Sequence, residues 1–114
     1  MLYPRSIEPN LKRHLARGKS ILLLGPRQTG KTTLLGGMAP DLGLSLVAPA
    51  VRQRYEKDPS LLAGEVRALA PSVPGRRRPL VTIDEVQKVP ALMDVAQDLI
   101  DRGEAQFAFT GSSA

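Results

Sequence analysis

Gly25-Pro26-Arg27-Gln28-Thr29-Gly30-Lys31-Thr32 follows the pattern G-x-x-x-x-G-K-[ST], that of a phosphate-binding P-loop. Ahead of it, Ser20-Ile21-Leu22-Leu23-Leu24 is a short apolar run of buried-strand type. Behind it, Thr33-Leu34-Leu35-Gly36-Gly37-Met38 carries apolar residues at helical spacing. A P-loop is read only in the order strand, loop, helix, and the flanks supply that order.

Each residue type has its reason. Gly25 and Gly30 allow backbone conformations closed to other residues and let the main chain approach phosphate oxygens. The N–H groups from Pro26 through Thr33, proline's missing one aside, and the positive end of the following helix then face an anion. Lys31 reaches toward the β- and γ-phosphates, and the Thr32 hydroxyl is a Mg²⁺ ligand. Gln28, Thr29 and Thr33 complete the cradle, and Arg27 either is solvated or helps hold phosphate.

Leu80-Val81-Thr82-Ile83-Asp84-Glu85 is the second informative stretch, a β-branched run ending in adjacent carboxylates. It lies about fifty residues beyond the P-loop, where a strand tip should aim a carboxylate at the metal. Asp84 fits that metal role, acting through metal-bound water. Glu85 is placed to orient and polarise an attacking water. A strand that merely ends in an acidic turn is the bland alternative, and the P-loop upstream weighs against it.

The remaining chain alternates strands and helices. Residues 9–17 read as a short helix carrying Leu11 and Leu15, with His14 beside the stripe as a packing or surface residue. Pro40 and Gly43 punctuate the chain before a short strand over 44–47. Asp58-Pro59 starts a helix with Leu61, Leu62, Val66 and Leu69 as its apolar stripe, ended by Pro71. The stretch 71–79 is a loop, and 86–90 is a turn. Pro90 then opens a helix in which Leu92, Val95, Ala96, Leu99 and Ile100 share a face, with Asp94, Asp98 and Asp101 on the wet side. Gly103 caps it, and Gln106 to Thr110 forms the last strand. This alternation predicts an α/β three-layer sandwich with a mainly parallel sheet, its ligand at the carboxyl ends of the strands. Gly25, Asp84 and Thr110 all fall there.

Composition narrows the class. The chain has 114 residues, enough for one domain, and no cysteine. Disulfides and thiol chemistry are excluded, which suits a reducing cytoplasm. No apolar run approaches the length of a membrane helix, and the N-terminus lacks a signal-peptide core, so a cytoplasmic protein without membrane contact is expected. The formal net charge of +5 leaves a nucleic-acid partner open. Arg76, Arg77 and Arg78 supply part of it from one loop, and short basic runs are usually solvated surface.

With these residues in hand, the chain resembles the ATP-binding domain of a family of bacterial and archaeal AAA+-like ATPases. The resemblance rests on Gly-Pro-Arg-Gln-Thr-Gly-Lys-Thr-Thr-Leu, on Ile-Asp-Glu-Val-Gln-Lys-Val-Pro and on Phe-Thr-Gly-Ser-Ser-Ala, in that order, with Tyr3-Pro4-Arg5 at the start. It implies a sheet in the order 5-1-4-3-2, ATP with Mg²⁺, and ATP hydrolysis. It also implies a polar sensor of the γ-phosphate, for which Thr110 and Ser112 are both candidates. Lys31, Glu85 and Thr110 are then the candidate catalytic residues, and Thr32 and Asp84 the metal ligands. Residues 1–114 are expected to be the N-terminal part of such a domain, lacking the fifth strand and lid and leaving the order 1-4-3-2. A homo-oligomer of the full-length form stays open. The alternatives are a nucleotide-binding module without useful turnover, a small-molecule kinase and a nucleic-acid-associated regulator.

Overall fold

The computed structural model describes residues 20–25, 37 and 39–112. The expected helix over 9–17, the loop from Pro26 to Thr33 and the helix expected after it lie outside the described residues.

Four strands form one sheet: β1 (Ile21–Gly25), β2 (Leu42–Ser45), β3 (Leu80–Asp84) and β4 (Gln106–Ser112). Their order is β1-β4-β3-β2, every pairing is parallel, and β1 and β2 are the edges among the described residues. This is the expected order. Among the described residues three helices accompany it: α1 (Pro49–Lys57), α2 (Leu61–Leu69) and α3 (Ala91–Asp101).

β3 is buried along its whole length. Because side chains alternate across a strand, burial of all five means that both faces are covered, as parallel sheets require. Val81, Ile83, Phe107 and Phe109 point to one face, where they join Leu62 and Val66 of α2 and Leu92, Ala96 and Leu99 of α3 in the main core. The two phenylalanines stack with ring centroids 5.3 Å apart. Thr82, Asp84, Ala108 and Thr110 alternate onto the other face, and all four are buried. Register is pinned at the strand starts, where the Phe107 N–H donates to the Ser20 hydroxyl at 3.0 Å.

Several local expectations need correction. β2 covers Leu42–Ser45 rather than 44–47. Leu46 is its buried anchor just past the strand, while Val47 is half exposed in a turn. Gly43, read as punctuation, lies inside β2, where an added Cβ would meet the Thr82 hydroxyl at 3.3 Å. α2 begins at Leu61 with Ser60 as its N-cap. Asp58 instead accepts the Ser60 N–H and hydroxyl at 3.1 and 2.5 Å, a turn that ends before the helix starts. The stretch 71–79 is not open loop throughout but holds short 3₁₀ turns over Ala70–Ser72 and Pro74–Arg76.

The acidic face and cap of α3 are as expected. Asp94, Asp98 and Asp101 are exposed, Asp98 pairing with Arg102 at 2.9 Å. Gly103 adopts φ 70°, and the Glu104 N–H donates to the Leu99 carbonyl at 2.9 Å, closing the helix in a left-handed cap.

α1 is a helix that sequence periodicity does not announce. Tyr55 is its one fully buried residue. The tyrosine hydroxyl donates to the Glu65 carboxylate of α2, and the Arg54 guanidinium lies 5.1 Å from the ring centroid. Burial, then the Glu65 hydrogen bond and its charge, push the Tyr55 hydroxyl up to about 12. The phenol therefore stays a neutral donor that ties α1 to α2.

Asp41 anchors the entry to β3. Its carboxylate accepts two hydrogen bonds from Arg77, at 2.7 and 3.0 Å, and the Leu80 N–H at 2.7 Å. Burial alone would raise its pKa, but the Arg77 and Leu80 hydrogen bonds and the Arg77 charge leave it below the ordinary value. A carboxylate depressed in the folded state stabilises above its unfolded pKa, near 4, and that contribution is lost as pH falls further. Arg77 is about half exposed, so the contribution is discounted for solvent screening. Asp41→Asn is expected to cost about 1 kcal/mol at neutral pH. The cost should shrink as pH falls from about 4 through the lowered folded-state pKa, when melting of the two proteins is followed against pH.

Candidate functional site

The site is built at the carboxyl ends of β3 and β4. Asp84 is the last residue of β3 and is 7 % exposed. Its carbonyl accepts the Leu46 N–H at 3.1 Å, so pairing with the β2 side continues past the strand. Its Oδ1 accepts the Thr110 hydroxyl at 2.5 Å. Thr110, fully buried in β4, accepts in turn the Glu85 N–H at 2.9 Å. One hydroxyl thus joins the tip of β4 to both carboxylate residues.

Glu85 leaves the strand abruptly, at φ 58° and ψ 50°. The left-handed region costs a non-glycine residue of order 1–2 kcal/mol. Such backbone persists where the surroundings over-determine it. Here the N–H is held by Thr110 and the carbonyl accepts the Lys88 N–H at 3.1 Å. The chain then runs through a 3₁₀ turn, Val86–Lys88, with Val86 and Val89 packed into the core. Glu85 itself is 5 % exposed, and its Oε1 accepts the Gln87 amide at 3.0 Å.

β1 reaches the same edge. Leu23 is in register with Thr110, and Gly25 with Ser112, so Gly25 lies two residues beyond the Thr110 level. β4 separates β1 from β3. β1 and β3 therefore run two strand spacings apart, about 10 Å, with Gly25 extending two residues past the level of Thr110.

Of the residues singled out from sequence, the fold brings together Gly25, Asp84, Glu85 and Thr110. Ser112 enters through its backbone pairing with Gly25. Pro26, Arg27, Gln28, Thr29, Gly30, Lys31, Thr32 and Thr33 lie outside the described residues. Gln87 was missed as a contributor, although a donor two residues after an acidic pair in a turn is a usable signal.

The donor chemistry bears on metal choice. Among the described residues no group of three or more His, Cys, Asp or Glu side chains could hold a metal ion. A single hard carboxylate at a strand tip fits an ion such as Mg²⁺, which keeps waters and phosphate oxygens as most of its ligands. Among the same residues, no helix is long and apolar enough to cross a membrane.

A parallel α/β sheet in the order 1-4-3-2, ending in this acidic cluster, is the arrangement of a P-loop NTPase-like domain. Residues 17–114 match the model of the AAA domain family, and the chain belongs to that family. It is 36% identical over 115 residues to an uncharacterized protein of Mycobacterium tuberculosis, covering 96% of this chain and 23% of that one. An uncharacterized protein of Mycobacterium bovis matches with the same identity and coverage. The chain is also 33% identical over 101 residues to the aliphatic sulfonates import ATP-binding protein SsuB 3 of Rhodococcus jostii, covering 81% of this chain and 37% of that protein. It spans about a quarter of the length of the mycobacterial relatives. At family level these likenesses support nucleotide binding or ATPase activity.

Proposed function

We propose that this domain binds ATP with Mg²⁺ and hydrolyses it. The observation that carries the reading is the Asp84–Thr110–Glu85 cluster, fixed by three elements on the strand edge where β1 runs out toward the P-loop sequence. Gly25, Gly30 and the intervening N–H groups cradle phosphate, and Lys31 pairs with the β- and γ-oxygens. Thr32 and Asp84 would hold the metal, which when bound neutralises phosphate charge. Glu85 orients a water toward the γ-phosphorus and draws its proton. As the new P–O bond forms, the bond from that phosphorus to the bridging oxygen breaks, and ADP leaves with the electron pair.

Thr110 acts here through its neighbours. Its hydroxyl donates to Asp84 and accepts the Glu85 N–H, so it serves nucleotide by holding Asp84 and the Glu85 backbone in place. Adjacent Asp and Glu favour water over a metabolite hydroxyl as acceptor, which sets hydrolysis ahead of a kinase reading.

Mg-ATP titration and phosphate release compared between the unchanged protein and Lys31→Ala test the proposal. Removing a charged phosphate contact is expected to weaken binding by about 10- to 100-fold. Equal binding by both proteins would overturn the site.

A further inference from the structure

Gln87 has no part in the chemistry above, yet it touches the residue that matters most to it. The side chain belongs to an exposed position, but its Nε2 donates to Oε1 of the buried Glu85 at 3.0 Å. Solvent offers an exposed amide many partners, and holding it on one carboxylate costs rotamer freedom. The turn makes the reach short. Glu85 sits in the left-handed region and Val86–Lys88 winds into a 3₁₀ turn, which carries position 87 back over position 85. Thr110 and Lys88 fix the Glu85 backbone, but backbone bonds do not orient a carboxylate three bonds away.

We propose that Gln87 is a positioning residue for Glu85, its amide holding the carboxylate in the orientation from which it steers the attacking water. This rests on the hydrolytic reading given above. The amide suits the task because it donates without carrying charge. A misplaced reacting group costs rate steeply, while substrate affinity resides elsewhere, in the P-loop and Asp84.

The test uses the full-length protein and steady-state phosphate release with varied Mg-ATP. Gln87→Met keeps length without polarity, and Gln87→Glu keeps shape but removes the donor. Both are expected to lower kcat about tenfold with KM within about twofold and an unchanged melting temperature. In a Glu85→Gln background the same substitutions should have no further effect, because the residue they position is already disabled. Unchanged kcat in Gln87→Met overturns the proposal, as does a loss that persists in the Glu85→Gln background. Mg-ATP binding without phosphate release by the unchanged protein would instead overturn the hydrolytic reading itself, and the positioning role with it.

Discussion

Glu85→Gln is expected to lower phosphate release by about 10²- to 10⁴-fold while Mg-ATP binding stays within about twofold of the unchanged protein, the usual signature of losing a general base. The substitution is nearly isosteric, so the buried pocket that takes Glu85 is neither emptied nor overfilled. A glutamine oxygen can still accept the Gln87 amide, and the backbone bonds to Thr110 and Lys88 do not involve the side chain. What disappears is the capacity to take a proton. Asp84, to which the proposed reading gives the metal role, is untouched, and so binding should survive. Single-turnover phosphate release and nucleotide titration on the same preparation separate the two quantities. A rate close to that of the unchanged protein would remove Glu85 from the chemistry, and a parallel loss of binding would move it to the binding set.

The sequence carried the parts of this fold that rest on periodicity and on motif spacing. β3 was readable because a strand buried on both faces must be nearly all apolar, and Leu80 to Ile83 is. α3 was readable because Leu92, Ala96 and Leu99 recur at helical spacing against a face of aspartates, with Gly103 at the stop. α1 was not, since one aromatic anchor, Tyr55, does the work of a stripe, and the surrounding Arg, Gln, Glu and Lys positions carry no period. Its usable signal was Pro49 at the first helical turn. The pairing of Gly43 with Thr82 is a tertiary relation that no local pattern encodes. At the site, Asp84 and Glu85 were legible as an acidic pair at a strand end. Which partners hold them was not, because Thr110 lies 26 residues from Asp84 in the chain and meets it only through the β3–β4 pairing.

That pairing makes Thr110→Val the most informative substitution for stability. Valine matches threonine in shape, so no cavity opens and the effect isolates the hydroxyl. The hydroxyl makes two buried hydrogen bonds, one to a carboxylate and one from a strained backbone position. Losing a buried partner costs about 1–3 kcal/mol per group, so about 2–4 kcal/mol is expected here. In a domain of this size that lowers the melting temperature by about 8–17 °C. Thr110→Ser keeps the hydroxyl and loses one methyl group, and should recover most of the difference. Catalysis should follow the same order, because the left-handed turn at Glu85 relies on the Thr110 oxygen to hold its N–H. A residue whose hydroxyl served only to read bound nucleotide would behave differently, with valine thermally neutral in the absence of ATP. Thermal melts of the nucleotide-free proteins therefore decide the point. An unshifted Thr110→Val melt would show that the hydroxyl does not hold the two strand tips together.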